Sequence, residues 1–471
     1  MSSAVVVGAG PNGLSCAATL ASRGVEVTVI EAAERIGGGA RSSELTLPGL
    51  IHDDCSATHP LSPASPALLS LHLERHGLEW AWPEVDLAHP LDGGGAAMVR
   101  SIEATASGLG PSGPAWRRAF GPSSRAFGEL CEDILRPLPR LPRHPVALVS
   151  FGLRSMLPAT LLARTLPTPE ARALFGGVAA HSFSPLSRPL TSAVGMVLIS
   201  ACHRFGWPVA RGGSVAIVEA LSAVIDENGG RVETGRPVRS LDELPPADAV
   251  FLDLAPGAVA DLAGARLPDR VERAYRRYRH GPGAFKLDLA VEGGVPWSFE
   301  PARRAGNVHV AGSFEELVAA EAEVNRGRMP ERPFVLVGQQ YLADPSRSHG
   351  DAHPVWAYAH IPHGYAGDVT EAMLIQIERF APGFRERVLA THVRSPADLA
   401  AYNPNYVGGD IINGANTPLQ SVARPRLAAD PYATGIPGVY ICSAATPPGA
   451  GAHGMAGYNA ALSALRGGRF A

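Results

Sequence analysis

With 471 residues, 46% of them hydrophobic, the chain can bury large cores and hold two or three domains. Its net charge of −3, with Lys286 as the only lysine among many arginines, gives no electrostatic reason to bind nucleic acid. Five scattered cysteines (Cys16, Cys55, Cys131, Cys202, Cys442) form no C-x-x-C, so neither a disulfide framework nor a zinc or other metal site is expected, and a reducing cytoplasm is the natural compartment.

The chain opens on a strand, a glycine loop and a helix. Residues 4–7 (AVVV) read as a buried strand; Gly8, Gly10 and Gly13 then spell G-x-G-x-x-G, with Pro11 and Asn12 inside it, ahead of an Ala/Leu-rich helix. The first glycine permits the turn, the second lets backbone approach a pyrophosphate, and the third lets helix pack on strand. The helix N-terminus turns free N–H groups to the phosphates. A second buried strand, residues 25–30, ends on Glu31, about 20 residues past the glycines, where a carboxylate takes both ribose hydroxyls; Ala32 follows. The bare motif is a weak signal, but between two strands and closed by an acid it is a strong one. Because the chain enters this unit at once, no cleavable leader is expected, and no run of about 18 apolar residues predicts a spanning helix.

Residues 34–45 (ERIGGGARSSEL) place Gly38, Gly39, Ala40 and Arg41 where an FAD fold, unlike a nicotinamide-only fold, has a use for close backbone and donors. Residues 46–66 are irregular and Pro-rich; His52 reads as structural, whereas His59 sits in a loop expected to lead to the flavin. From residue 67 to about 205, Pro-punctuated helical segments dominate. The most apolar of them, residues 146–165, is broken at Pro158 and is open to three readings: core helix, tunnel lining or membrane-surface helix.

Residues 207–240 return to nucleotide-fold logic, with a Gly-Gly turn, an amphipathic helix, a strand at 231–234 and another near Val238, which is expected to touch the cofactor; residues 248–254 add a strand. In residues 266–430, the stretch 284–291 alternates as a strand should, putting Ala284, Lys286, Asp288 and Ala290 on one face. Residues 332–340 and 355–361 also read as strands, 370–380 as an amphipathic helix, and the arginines of 273–279 as a solvated face. At the C-terminus, a buried strand (439–442), a glycine-rich loop (447–454) and a small-residue helix (455–465) follow. The start of that helix, Gly454 and Met455, is expected to face the flavin with the positive end of its dipole.

The expected fold class is α/β. A Rossmann-like FAD-binding domain is assembled from discontinuous segments (1–66, 207–265 and 431–471). An α+β substrate domain with a mixed sheet and covering helices takes 67–206 and 266–430.

Motifs along nearly the whole chain carry a resemblance: VVVGAGPNGLSCAATLA, ERIGGGARS, PGLIHDDCSATHPL, GPGAFKLDLAVEGGVPW, LADPSRSHGDAHPVWAYAHIP, NPNYVGGDI and GVYICSAATPPGAGAHGMAGYNAA. The chain resembles the phytoene dehydrogenase-related family of FAD-dependent oxidoreductases, within the amine oxidase and phytoene desaturase superfamily. The resemblance implies non-covalent FAD. It implies that Lys286 holds a water against flavin N5, that Tyr458 flanks the substrate, and that His453 lies at the flavin edge as donor or acid–base group. Where many flavoproteins have an acid after the C-terminal strand, this chain has CSAATPP, leaving Ser443 or backbone to serve. A second cage aromatic has only loose candidates in Tyr402 and Tyr406, and no second dinucleotide fingerprint is present.

The expected activity is dehydrogenation of a small, largely apolar substrate by hydride transfer to flavin N5, with oxygen or a quinone as acceptor. Amine oxidation, redox-neutral isomerisation or cyclisation, and a non-catalytic FAD-bound scaffold are the alternatives. The expected location is cytoplasmic, with peripheral membrane contact as a further reading.

Overall fold

The computed structural model describes residues 2–137 and 140–470. Two sheets organise it. The first is parallel and five-stranded, in the order Val439–Ile441, Ala249–Leu252, Ser3–Val7, Glu26–Ile30, Arg231–Glu233. Its strands are short, β-branched and buried on both faces, as a parallel sheet requires. Three distant parts of the sequence therefore meet in one sheet. The helices Pro11–Ala21 and Met455–Arg466 pack against each other so tightly that a Cβ on Gly457 would lie 1.8 Å from the carbonyl oxygen of Asn12.

The second sheet is mixed and seven-stranded, in the order Val388–Arg394, Gly283–Glu292, Ala352–Ile361, Val335–Gly338, Ala305–Val310, Val85–Leu91, Gly94–Met98. The alternation read in 284–291 holds. Phe285, Leu287 and Leu289 enter one core with Trp297, Phe380 and Phe384. Trp356 and Tyr358 face a second core, built on Trp116, Phe120 and Phe175 of the helical region. Among the described residues no helix is long and apolar enough to cross a membrane.

Two local expectations fail. The stretch read as helical from residue 67 contains the hairpin Val85–Leu91/Gly94–Met98, which joins the mixed sheet through a parallel pairing with Ala305–Val310. Pro90 and a run of glycines hide it, because small residues at a sheet edge show no period-2 alternation. No strand forms near Val238, where Pro237 lacks the N–H a ladder needs; the backbone there is irregular.

Candidate active site: a cavity from the glycine loop to the mixed sheet

A cavity of about 1130 Å³ runs from the parallel sheet to the mixed sheet. At one end its wall is the glycine loop. Gly8, Gly10, Pro11, Asn12, Glu31, Ala32, Gly38, Gly39, Arg41 and Val238 all line it. Helix Pro11–Ala21 begins at Gly10 without a side-chain cap, so its N-terminus suits an anion. A Cβ on Gly10 would intrude to 2.8 Å from the Asp253 carboxylate, and Asn12 Oδ1 is buried without a partner. Glu31 accepts hydrogen bonds from the N–H groups of Ala9 (2.6 Å) and Ala33 (2.9 Å) and lies 3.6 Å from the Arg41 guanidinium. These residues fit a dinucleotide.

Sequence reasoning missed Asp253. It follows the strand Ala249–Leu252, which lies beside Ser3–Val7, so its carboxylate reaches the glycine loop and accepts the Gly13 N–H at 2.9 Å. Burial pushes its pKa up to about 7, with the Glu31 charge adding to the shift and the Gly13 bond opposing it. The acid ending DAVFLD, read against the parallel register of the first strand, was the available signal.

The C-terminal loop forms the adjoining wall through Pro448, Gly449, Ala450, Gly451, Ala452 and His453. His453 Nδ1 accepts the Met455 N–H at 3.2 Å, and its carbonyl oxygen accepts the Ser65 hydroxyl at 2.6 Å. Burial pulls its pKa down to about 4, so the imidazole is neutral at neutral pH, with its proton assigned to Nε2 by the Met455 bond. His59 also lines the cavity. Its Nε2 is 2.8 Å from the Ser214 hydroxyl, which itself donates to the Ser56 carbonyl at 2.6 Å. Asp53 fixes Ser214 by accepting its N–H at 2.7 Å, and is in turn held by Arg347 at 2.5 Å. Burial lowers the His59 pKa to about 4.

Other candidates lie behind the wall. Lys286 is 2% exposed and ion-paired with Asp288, which also faces His52 and His392 at 3.6 Å each. Burial lowers the Lys286 pKa against the opposing pull of Asp288. The cavity surface in this region belongs to Cys55, Trp356 and Tyr358, and the Lys286 ammonium sits 5.8 Å from the Trp356 ring centre. Tyr458 is half-buried against the helical core. Ala40 packs in the core of the parallel sheet. The Ser443 hydroxyl lies 3.4 Å from the Ala445 N–H, and its neighbour Ala444 reaches the cavity instead. Gly13, Gly454 and Met455 are likewise buried away from the cavity surface. Tyr402 and Tyr406 do line it, but at the glycine-loop end: the Tyr402 hydroxyl donates to the Gly38 carbonyl at 2.7 Å, and its ring lies beneath the guanidinium groups of Arg41 and Arg394.

The far end of the cavity is apolar, lined by Val194, Val197, Leu198, Leu336, Trp356 and Ile411 among others. One titratable group there was not foreseen. His181, just past the helix Pro169–Ala180, lines the wall with its Nε2 3.0 Å from His309 Nε2. Burial drops its pKa to about 3 and that of His309 well below the ordinary value, so the two neutral rings share one proton. Nothing in the Ala-rich sequence around it marks His181.

Comparison with known proteins agrees with this geometry. Residues 6–72 match the family described as "NAD(P)-binding Rossmann-like domain". The mouse (Mus musculus) protein named "Pyridine nucleotide-disulfide oxidoreductase domain-containing protein 2" is 24% identical across 98% of this chain and 93% of its own. A hydroxyneurosporene desaturase of Cereibacter sphaeroides is 28% identical over 50% of this chain and 49% of its own. Over nearly its whole length this chain is therefore similar to a protein named for an oxidoreductase domain, and over half of it to a desaturase. Among solved structures, a putrescine oxidase bound to putrescine shares the fold of this chain, with a TM-score of 0.62 and 16% identity over 99% of this chain and 98% of its own.

Proposed function

We propose that the protein is an FAD-dependent dehydrogenase acting on a small, largely apolar molecule. The observation that carries the reading is continuity: the glycine cradle and the apolar chamber are two ends of one cavity, with His453 and His59 on its wall. Bound FAD would supply a two-electron acceptor, with oxygen or a quinone taking the electrons onward. Gly10, Asn12, Glu31, Arg41 and the start of helix Pro11–Ala21 would hold its dinucleotide part. The chain's own contributions are orientation, exclusion of water and proton handling. Val194, Val197, Leu198 and Leu336 would strip water from the substrate and restrict its pose. His59, neutral at pH 7 and donating through Nε2 to Ser214, can accept at Nδ1 a proton lost beside the oxidised carbon, while His453, whose Nδ1 is taken by the Met455 N–H, can donate from Nε2.

Formation of a C=C bond is favoured over amine oxidation by where the acids lie. The carboxylates on the cavity wall are Glu31, Asp253 and Asp261, all on elements of the parallel-sheet end. Among the described residues the apolar end offers no counter-ion for an ammonium group. The test is direct: purified protein should carry, or take up, FAD with flavin absorbance, and anaerobic addition of a desaturable substrate should bleach it. Absence of flavin after incubation with FAD would overturn the reading.

A further inference from the structure

Arg424 sits on the cavity wall and is 5% exposed, yet its guanidinium meets only neutral partners. Nε donates to the Gln420 carbonyl at 3.3 Å, NH2 to Asn416 Oδ1 at 2.9 Å, and NH1 reaches the Ala444 carbonyl only at 3.5 Å. Among the described residues no carboxylate oxygen lies within 4.0 Å of it. Asp410 lies in the same region, but its oxygens accept the N–H groups of Gly281, Ile412 and Gly414 at 2.7 to 3.1 Å. A buried cation left without an anion is costly, and proteins rarely keep one unless something else neutralises it.

The surroundings point the same way. Asn416 links Arg424 to the carbonyl of Ser182, to which its Nδ2 donates at 3.0 Å. Ser182 and Asn413 are 1% and 3% exposed and line the same cavity, and neither Ser182 Oγ nor Asn413 Oδ1 has a hydrogen-bond partner. A hydroxyl can turn to donate, and an amide turned about its last torsion presents its NH2. The patch therefore offers one unneutralised guanidinium and two idle polar groups at the border of an apolar chamber.

We propose that this patch binds a carboxylate, so that the substrate is an apolar body ending in an acid group. Arg424 supplies the charge and Ser182 and Asn413 the remaining hydrogen bonds; a planar fork and a planar carboxylate are matched in geometry. The proposal rests on the dehydrogenase reading for its meaning, but the binding it asserts is measurable without turnover. The rival occupant of the same chemistry is an anionic oxygen of the cofactor, since Arg424 also approaches the loop at Gly449.

The experiment is calorimetric titration of the FAD-loaded protein with matched pairs, decanoate against decanamide and benzoate against benzamide, alongside a measurement of retained flavin. The acid should bind at least about tenfold more tightly than its amide in at least one pair. Arg424→Gln should abolish that preference while flavin content stays unchanged, and Arg424→Lys should keep part of it. If Arg424→Gln does not fold, Ser182→Ala should reduce the preference without altering amide binding. Equal binding of acids and amides, or no binding of either acid, overturns the proposal. So does an Arg424→Gln protein that loses flavin and keeps the preference, which assigns the arginine to the cofactor. A protein that takes up no flavin defeats the dehydrogenase reading, and the same acid–amide comparison on that flavin-free protein still decides this one.

Discussion

The Asp253 carboxylate accepts the Gly13 N–H at 2.9 Å and reaches the cavity wall beside Gly10, the glycine that lets backbone approach a pyrophosphate. An ionised acid there opposes a phosphate, whereas a protonated one can donate to it. Burial raises the Asp253 pKa to about 7, from an ordinary 3.8. The sign follows: between these two values the folded state holds a proton that the unfolded state has lost, so stability falls as pH rises from about 4 to about 7. The affinity for FAD should fall across neutrality for the same reason, with Glu31, the other facing acid, and Arg41, the facing base, as a fixed background. Asp253→Asn should bind FAD more tightly at pH 8 and flatten the profile. Quenching of FAD fluorescence, titrated from pH 6 to pH 8, measures both; an Asp253→Asn profile parallel to that of the native protein would refute it.

Gly457 makes a second prediction. Because its Cβ would lie 1.8 Å from the Asn12 carbonyl oxygen, Gly457→Ala must push helix Met455–Arg466 away from helix Pro11–Ala21. Overpacking of this kind costs about 1–3 kcal/mol. The displaced backbone is the glycine loop itself, so flavin retention should drop together with the midpoint of urea unfolding. Full flavin retention with unchanged stability would show that the two helices are not locked together.

The parallel sheet and its glycine loop were legible because their signal is local: β-branched runs, three glycines and an acid at fixed spacing. Even the discontinuity was readable, since Gly212, Gly213 and the loop 447–454 repeat the same punctuation. What escaped depended on pairing across the chain. The Val85–Met98 hairpin is a strand pair only because Ala305–Val310 lies beside it, and Asp253 meets Gly13 only through register. Lys286 shows the same limit from the other side. Alternation put Lys286 and Asp288 on one face, but that the two are buried there as an ion pair follows only from the strands on either side.

The Lys286–Asp288 pair therefore gives a third prediction. Removing one partner of a buried ion pair strands the other, at about 3–5 kcal/mol. Lys286→Met should be destabilised by that amount, and Lys286→Met with Asp288→Leu should recover much of it, even though His52 and His392 lose their contact with Asp288. A double-mutant cycle on urea unfolding reads the coupling. Additive losses would mean that the pair is not a unit and would return Lys286 to the cofactor's side.

The helix Pro145–Ser155 decides among the readings left open for the apolar segment. It turns Phe151 and Ser155 inward, while Val146, Val149 and Leu153 stand 85%, 61% and 67% exposed, flanked by exposed Leu141 and Met156. None of these residues lines the cavity, so the segment is not a tunnel wall. Apolar residues spaced by three and four on one face, bordered by the exposed arginines Arg140, Arg143 and Arg164, have the pattern of a helix lying on an anionic bilayer. We therefore propose peripheral membrane contact through this face. The protein should co-sediment with vesicles containing phosphatidylserine and less with neutral ones. Val149→Asp and Leu153→Asp, both at exposed positions, should release it while leaving the unfolding midpoint within about 0.5 kcal/mol of native. Equal sedimentation of native and doubly substituted protein would exclude this face as the contact.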